Sequence, residues 1–254
     1  MSDTVNGFFR RFERDRTFWI IIGAIVLAYV LVQRSAMVPI VVTLVGLLLA
    51  VTVHECAHAW AADRLGDPTA RLLGRVSLNP LVHLDPLGTV MMVVTALSGM
   101  GVGWGKPVPV SPHRLRYGSR LGNGIVALSG PASNLLLALV LGLLLRLGGA
   151  SVMRVSLLAA LLQSAVMTNI IIAFFNLIPL PPLDGHSVLI GVLSLSRSQW
   201  AWRISDWLIG LNRYGAILLF GLIIVSQFMG LNLLGWLIWP PTWLFYRLIM
   251  GFPS

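Results

Sequence analysis

The chain has 254 residues, 57% hydrophobic and only 11% charged, proportions that exclude an ordinary water-soluble domain and point to an integral membrane protein. Its net charge of +9 resides mostly in arginines scattered through short loops beside apolar runs, the pattern that marks cytoplasmic loops, so the expected partner is a lipid bilayer and not a nucleic acid. A single cysteine, Cys56, excludes an intrachain disulfide framework.

A spanning helix needs roughly 20 mostly apolar residues. In chain order the candidate runs are Thr17 to Gln33, Val38 to Ala62, Gly122 to Leu145, Leu157 to Leu180 and Tyr214 to Met229. The first follows "RRFERDR" and lacks a small-x-small cleavage site, so it reads as a retained anchor. A tail, "LNLLGWLIWPPTWLFYRLIM", carries Trp236, Trp239, Trp243 and Tyr246 around Pro240 and Pro241, and reads as a broken sixth span or a helix at the membrane surface. The expected fold is an all-α polytopic membrane protein of about six transmembrane helices. It is a single integral membrane domain, 1–254, with a core at about 38–195 and peripheral helices at 1–37 and 196–254.

Arg10, Arg11, Arg14 and Arg16 place the N-terminus in the cytoplasm, and Arg64, Arg71 and Arg75 then follow the second span on the same side. The next stretch, "PLGTVMMVVTALSGMGVGWGKPVPV", is short and ends in a strand-like, proline-alternating tail. If it crossed the membrane, Lys106, Arg114, Arg116 and Arg120 would lie outside, against the charge bias; if it dips in and returns, they stay inside. We therefore expect a re-entrant, partly β-like element between the second and third spans, with an ordinary short helix as the alternative. Non-helical backbone at membrane depth needs protein or a water-filled cavity to satisfy it, so such an element implies a site nearby.

The second run ends in "VTVHECAHAWAADR". His54 and His58 are four apart, so on a helix they stack on one face and can reach a common metal, with Glu55 beside that face. This is the H-E-x-x-H arrangement in which two histidines bind zinc and the glutamate serves as general base. Ionisable groups within a span cost about 2.5 to 3.5 kcal/mol each, so they are normally paired or functional. A catalytic zinc takes three protein ligands and one open position. Candidates for the third are Asp63, Asp67, His83, Asp85, Asp184 and His186. Asp63 and Asp67 read as a solvated turn, and Asp85, before Pro86, as a turn or cap residue. Asp184 follows the helix-breaking "PLPPL" and is either the cap of a new helix or the third ligand. The re-entrant topology favours the ligand, because it alone returns Asp184 to the side of His54 and His58. Cys56 reads as a small packing residue.

Together "HECAH", "GRVSLNPLVHLDPLG", "GWGKPVPV", "SGPASN" and "NLIPLPPLDG", in this order from about Val38 to Leu195, resemble the site-2 protease family of intramembrane zinc metalloproteases. The resemblance implies that His54, His58 and Asp184 hold one Zn2+ per chain, that Glu55 is the catalytic base, and that Asn134 faces the site and helps hold the scissile segment. Read by itself, Asn134 serves equally well as an interhelical hydrogen-bond donor. Where many members have a second glycine after the aspartate–glycine pair, this chain has His186, read as a helix residue near the interface. With no room for a PDZ or CBS module, the chain resembles the compact group, whose control would fall to a separate regulatory protein, the substrate or a moving element.

The implied activity is hydrolysis of peptide bonds within or near the transmembrane helix of a membrane-anchored protein, as in regulated intramembrane proteolysis. The "GKPVPV" segment is expected to pair with an unwound substrate by β-augmentation, Val108 and Val110 making the contact; a turn-rich loop is the plain alternative. The expected location is a prokaryotic inner membrane with the active site toward the cytoplasm. The competing functions are a metal-binding transporter, which needs no Glu55 and usually shows internal repeats, and an inactive protease-like scaffold, which needs no intact ligands.

Overall fold

A computed structural model describes residues 37–98, 103–153 and 155–251, together with positions 20 and 23. Apolar runs without water must satisfy their backbone internally, and the described residues are correspondingly helical, with no strand among them. The helices are α1 (Met37–Arg64), α2 (Thr69–Leu72), α3 (Pro86–Ser98), α4 (Gly118–Met153), α5 (Ser156–Asn176), α6 (Asp184–Leu193), α7 (Gln199–Leu211), α8 (Gly215–Phe228) and α9 (Leu233–Met250). Among the described residues, four segments are by length and composition apolar and long enough to cross a membrane: Met37–Arg64, Gly118–Gly149, Ser156–Asn176 and Gln199–Ser226. The expected anchor at Thr17 to Gln33 lies outside the described residues.

The core is a bundle of α1, α4 and α5, with α6 laid on α4. Its register follows from side chains that cross between helices. Val126 and Asn134 of α4 bond to His58 and to Ala50 of α1, so α1 and α4 are antiparallel. Ser164 of α5 donates to Val42 O, while a Cβ on Gly46 would touch Thr168, so α1 and α5 are parallel. The C-terminal end of α1, the N-terminal end of α4 and the C-terminal end of α5 therefore share one side of the bundle. Small residues make these crossings possible: α4 and α6 meet at Gly124 and Gly191, where a Cβ on either would lie 2.9 or 3.0 Å from the other's Cα.

Between α1 and α4 the chain leaves and returns on that one side. It runs out along α3, and Gly105 then forms an antiparallel bridge with Leu84, two residues before α3 begins. Lys106 N–H donates to His83 O at 2.7 Å. The strand expected over Gly105 to Val110 is reduced to this one bridge; with prolines at 107 and 109 the segment is extended but cannot continue a ladder.

Two further expectations are corrected. Asp67 is not solvated but fully buried, where its carboxylate accepts from Ser111 N–H at 2.6 Å and from Thr69 Oγ1 at 2.5 Å. Burial alone would raise its pKa, but these bonds and the Arg114 charge hold it below the usual carboxylate value. The tail is not broken at its prolines: α9 is one helix through Pro240 and Pro241, and Phe245, Tyr246 and Ile249 pack it on α4 and α5. It is not among the four segments long and apolar enough to span.

Candidate functional site

The last turns of α1 carry three of the expected residues into the interior. Its apolar run favours helix throughout, and the four-residue spacing brings the His54 and His58 rings to 4.6 Å between centroids. Asp184 is the first residue of α6. Its carboxylate does not cap that helix, as one sequence reading had it, but turns to the histidines. Oδ2 lies 3.0 Å from His54 Nε2 and 3.3 Å from His58 Nε2.

The outer nitrogens of both rings are engaged. His58 Nδ1 lies 2.8 Å from Val126 O. A carbonyl can only accept, so Nδ1 carries the proton. His54 Nδ1–H donates to Asn134 Oδ1 at 2.7 Å. Each Nε2 is thereby left with its lone pair facing Asp184 Oδ2, which makes no hydrogen bond among the described residues. Three electron-pair donors, all within 4.8 Å of one another, converge, the two histidines buried and Asp184 partly so. Such a convergence is repulsive unless a cation lies among them. Two imidazoles and a carboxylate are a donor set that zinc accepts, with the outer hydrogen bonds fixing ring tautomer and direction. The residues fit the ion.

Gly130 of α4 lies against the rings: a Cβ there would come 2.5 Å from His58 Nε2 and 2.7 Å from His54 Cε1. Gly130→Ala, although it favours helix by about 0.5–1 kcal/mol, should therefore displace the rings. Zinc content should fall well below that of the wild type while the helical circular dichroism is kept. Undiminished zinc in that variant would show that the rings have room the structure does not give them.

Glu55 projects into a cavity of about 620 Å³ that also receives Asp184, Asn123, Asn176, Val108 and Val110. Glu55 Oε2 is buried and has no hydrogen-bond partner among the described residues. Helix α8 closes one wall with Ala216, Leu219, Phe220 and Ile223. Val108 and Val110 are both half-buried, with exposed Pro109 between them, the alternation of an extended chain.

Asn134 is not a cavity residue. It is fully buried behind His54, its amide nitrogen donating to Ala50 O at 2.9 Å and to Asn169 Oδ1 at 2.7 Å. Asn169, one of several polar residues in a largely apolar helix, went unread in the sequence, although a polar side chain in a span was signal enough. The other ligand candidates are occupied elsewhere. Asp63 pairs with Arg71 at 2.8 Å, and Asp85 Oδ1 accepts from Gly88 N–H at the start of α3. His83 donates to Ser77 O, and His186, buried on α6, donates to Leu208 O at 3.0 Å and ties α6 to α7. Arg75 is nearly buried and donates to the carbonyls of Val82 and Lys106, clamping the two sides of the Leu84–Gly105 bridge. Burial lowers its pKa, an effect partly offset by the Glu55 carboxylate.

Comparison with known proteins agrees with this chemistry. Residues 147–220, which include Asp184, match the family described as Peptidase family M50. The chain is 40% identical over 152 residues to "Putative zinc metalloprotease YwhC" of Bacillus subtilis, covering 57% of this chain and 66% of that one. It is 31% identical over 151 residues to "Putative zinc metalloprotease Rip2" of Mycolicibacterium smegmatis, covering 59% and 56%, and 32% identical over 153 residues to the Rip2 of Mycobacterium tuberculosis H37Rv, with the same coverage. The aligned part thus spans just under two thirds of one relative and little over half of the others. No solved structure matches the chain. The zinc-type donor set and these relatives point the same way: the chain is similar to peptidase family M50, the site-2 protease family of zinc metalloproteases.

Proposed function

We propose that this protein is an intramembrane zinc endopeptidase that hydrolyses peptide bonds within or near the transmembrane segments of membrane-anchored proteins. The observation that carries the proposal is the meeting of His54, His58 and Asp184 from two separate helices, with an unpartnered Glu55 oxygen in the adjoining cavity. In this reading the three donors hold one zinc, Glu55 is the catalytic base and Asn134 orients His54.

Zinc held there supplies a Lewis acid that polarises a carbonyl and lowers the pKa of water. The rest falls to the chain. Glu55 Oε2, with no donor competing for it among the described residues, takes a proton from water as the water oxygen bonds to the scissile carbonyl carbon. It returns that proton to the amide nitrogen as the C–N bond breaks, leaving a carboxylic acid and an amine, which the acid's remaining proton converts to a carboxylate and an ammonium. The largely apolar walls admit a short unwound segment and exclude bulk water.

A transmembrane helix hides its carbonyls in internal hydrogen bonds and must be opened before attack. The extended Gly105–Val110 segment offers a template. Pro107 and Pro109 have no N–H, and Lys106 N–H is donated to His83 O, so the donors beyond the bridge are those of Val108 and Val110. Neither donates to another described residue. Val110→Pro removes one of them and should slow cleavage several-fold, the worth of a hydrogen bond of about 1 kcal/mol, without loss of zinc. An unchanged rate and cleavage position would remove this segment from the site.

The re-entrant reading of residues 86–110 is supported by the return of Gly105 to Leu84. Arg64, Arg71, Arg75, Lys106, Arg114, Arg116 and Arg120 belong to the end of the bundle that carries the site, which supports a cytoplasmic active site in a prokaryotic inner membrane. We take its role to be regulated intramembrane proteolysis, with control from a separate regulatory protein.

The proposal is tested by reconstituting the full chain in vesicles with a labelled single-span protein. Cleavage should stop on metal chelation and return with added zinc. Cleavage indifferent to chelation, or confined to soluble peptides, would refute it.

A further inference from the structure

We propose that Asn169 is a positioning residue that sets the tautomer of His54, and through it the zinc affinity of the site; this rests on the reading of His54 as a ligand. A neutral imidazole binds metal through the nitrogen that lacks the proton, so His54 can present Nε2 only if Nδ1–H is held on the far side. The group that holds it is Asn134 Oδ1, at 2.7 Å. An amide, however, can face a ring with either end. With its NH2 turned to His54, Nδ1 would have to accept, the proton would move to Nε2, and the metal-facing lone pair would be lost.

What forbids that flip is a chain of hydrogen bonds with a fixed direction. Asn169 Nδ2 donates to Ala165 O at 2.7 Å. Because a carbonyl only accepts, Asn169 must turn its oxygen to Asn134. Asn134 Nδ2 then donates to that oxygen at 2.7 Å and to Ala50 O at 2.9 Å, leaving only its own oxygen for His54. Both asparagines are fully buried, so water cannot substitute for either partner. Two backbone carbonyls, one on α5 and one on α1, thus decide which nitrogen of His54 carries the proton, although Asn169 touches neither the histidine nor the cavity.

The test uses full-chain protein in detergent. Zinc affinity is measured by competition with a chromophoric chelator, and the zinc-free His54 tautomer by 15N chemical shift. Asn169→Leu removes the acceptor and should weaken zinc about tenfold or more, the scale set by outer-shell partners of metal ligands, while His54 gains the Nε2–H form. Asn169→Asp should rescue both readouts to within a few-fold, because a carboxylate accepts from Asn134 and, when protonated, also donates to Ala165 O. If the leucine variant does not fold, Asn169→Ala replaces it in the same comparison. The inference is overturned if the apolar variant keeps wild-type affinity and tautomer, or if the aspartate variant falls as far as the apolar one, which would make the role mere packing. A wild-type protein that binds no zinc would instead refute the ligand reading beneath it.

Discussion

Glu55→Gln should leave about one zinc per chain and reduce cleavage of a membrane-anchored substrate by roughly 10²- to 10⁴-fold, the usual contribution of a general base. The two effects separate because Glu55 is not part of the converging donor set. The donors are His54, His58 and Asp184, whereas Glu55 faces the cavity beside them with Oε2 unpartnered. Glutamine keeps the shape and the burial but has no lone pair basic enough to take a proton from water. Metal analysis and a cleavage assay on the same preparation check this. Loss of zinc would make Glu55 a structural support of the site, and full activity would end its assignment as base. The expected outcome also yields a variant that binds substrate without turning it over.

Asp184→Ala should empty the site. It removes the one anionic donor of three and leaves two imidazoles backed by Gly130 and Val126. The loss in zinc affinity should exceed the 10- to 100-fold that outer-shell partners contribute, so the protein should purify with little zinc and no activity. The same result bears on topology. Asp184 reaches His54 only because α1 and α5 are parallel and α1 and α4 antiparallel, which requires residues 65–117 to begin and end on one side. Zinc retained in the alanine variant would mean that the third donor comes from elsewhere in the chain.

Much of this was legible in the sequence, for reasons that are local. Apolar runs of spanning length have no alternative to helix in a bilayer, so α1, α4 and α5 could be read directly. The four-residue spacing of His54 and His58 places them on one face of any helix, and charged groups in such a run demand an explanation. Boundaries were read less well: the run expected to reach Leu180 ends as a helix at Asn176, because the proline-rich turn begins to act before its first proline.

What the sequence could not specify were relations between residues far apart in the chain. Asp67, in a turn rich in loop residues, looked solvated and is instead buried under Ser111, 44 residues on. Asn134 was open to two readings, facing substrate as the resemblance implies or donating between helices, and it lies behind His54 as the donor, its two N–H groups claimed by α1 and α5. Asp184 could have been a helix cap, and only the glycine-to-glycine crossing of α4 and α6 brings its carboxylate to the histidines. Residue identity and local spacing determined that this chain spans a membrane and carries metal-binding chemistry. Which donors meet, and which nitrogen of each ring is left to face inward, was decided only by tertiary packing, because hydrogen-bond direction depends on partners that no local pattern encodes.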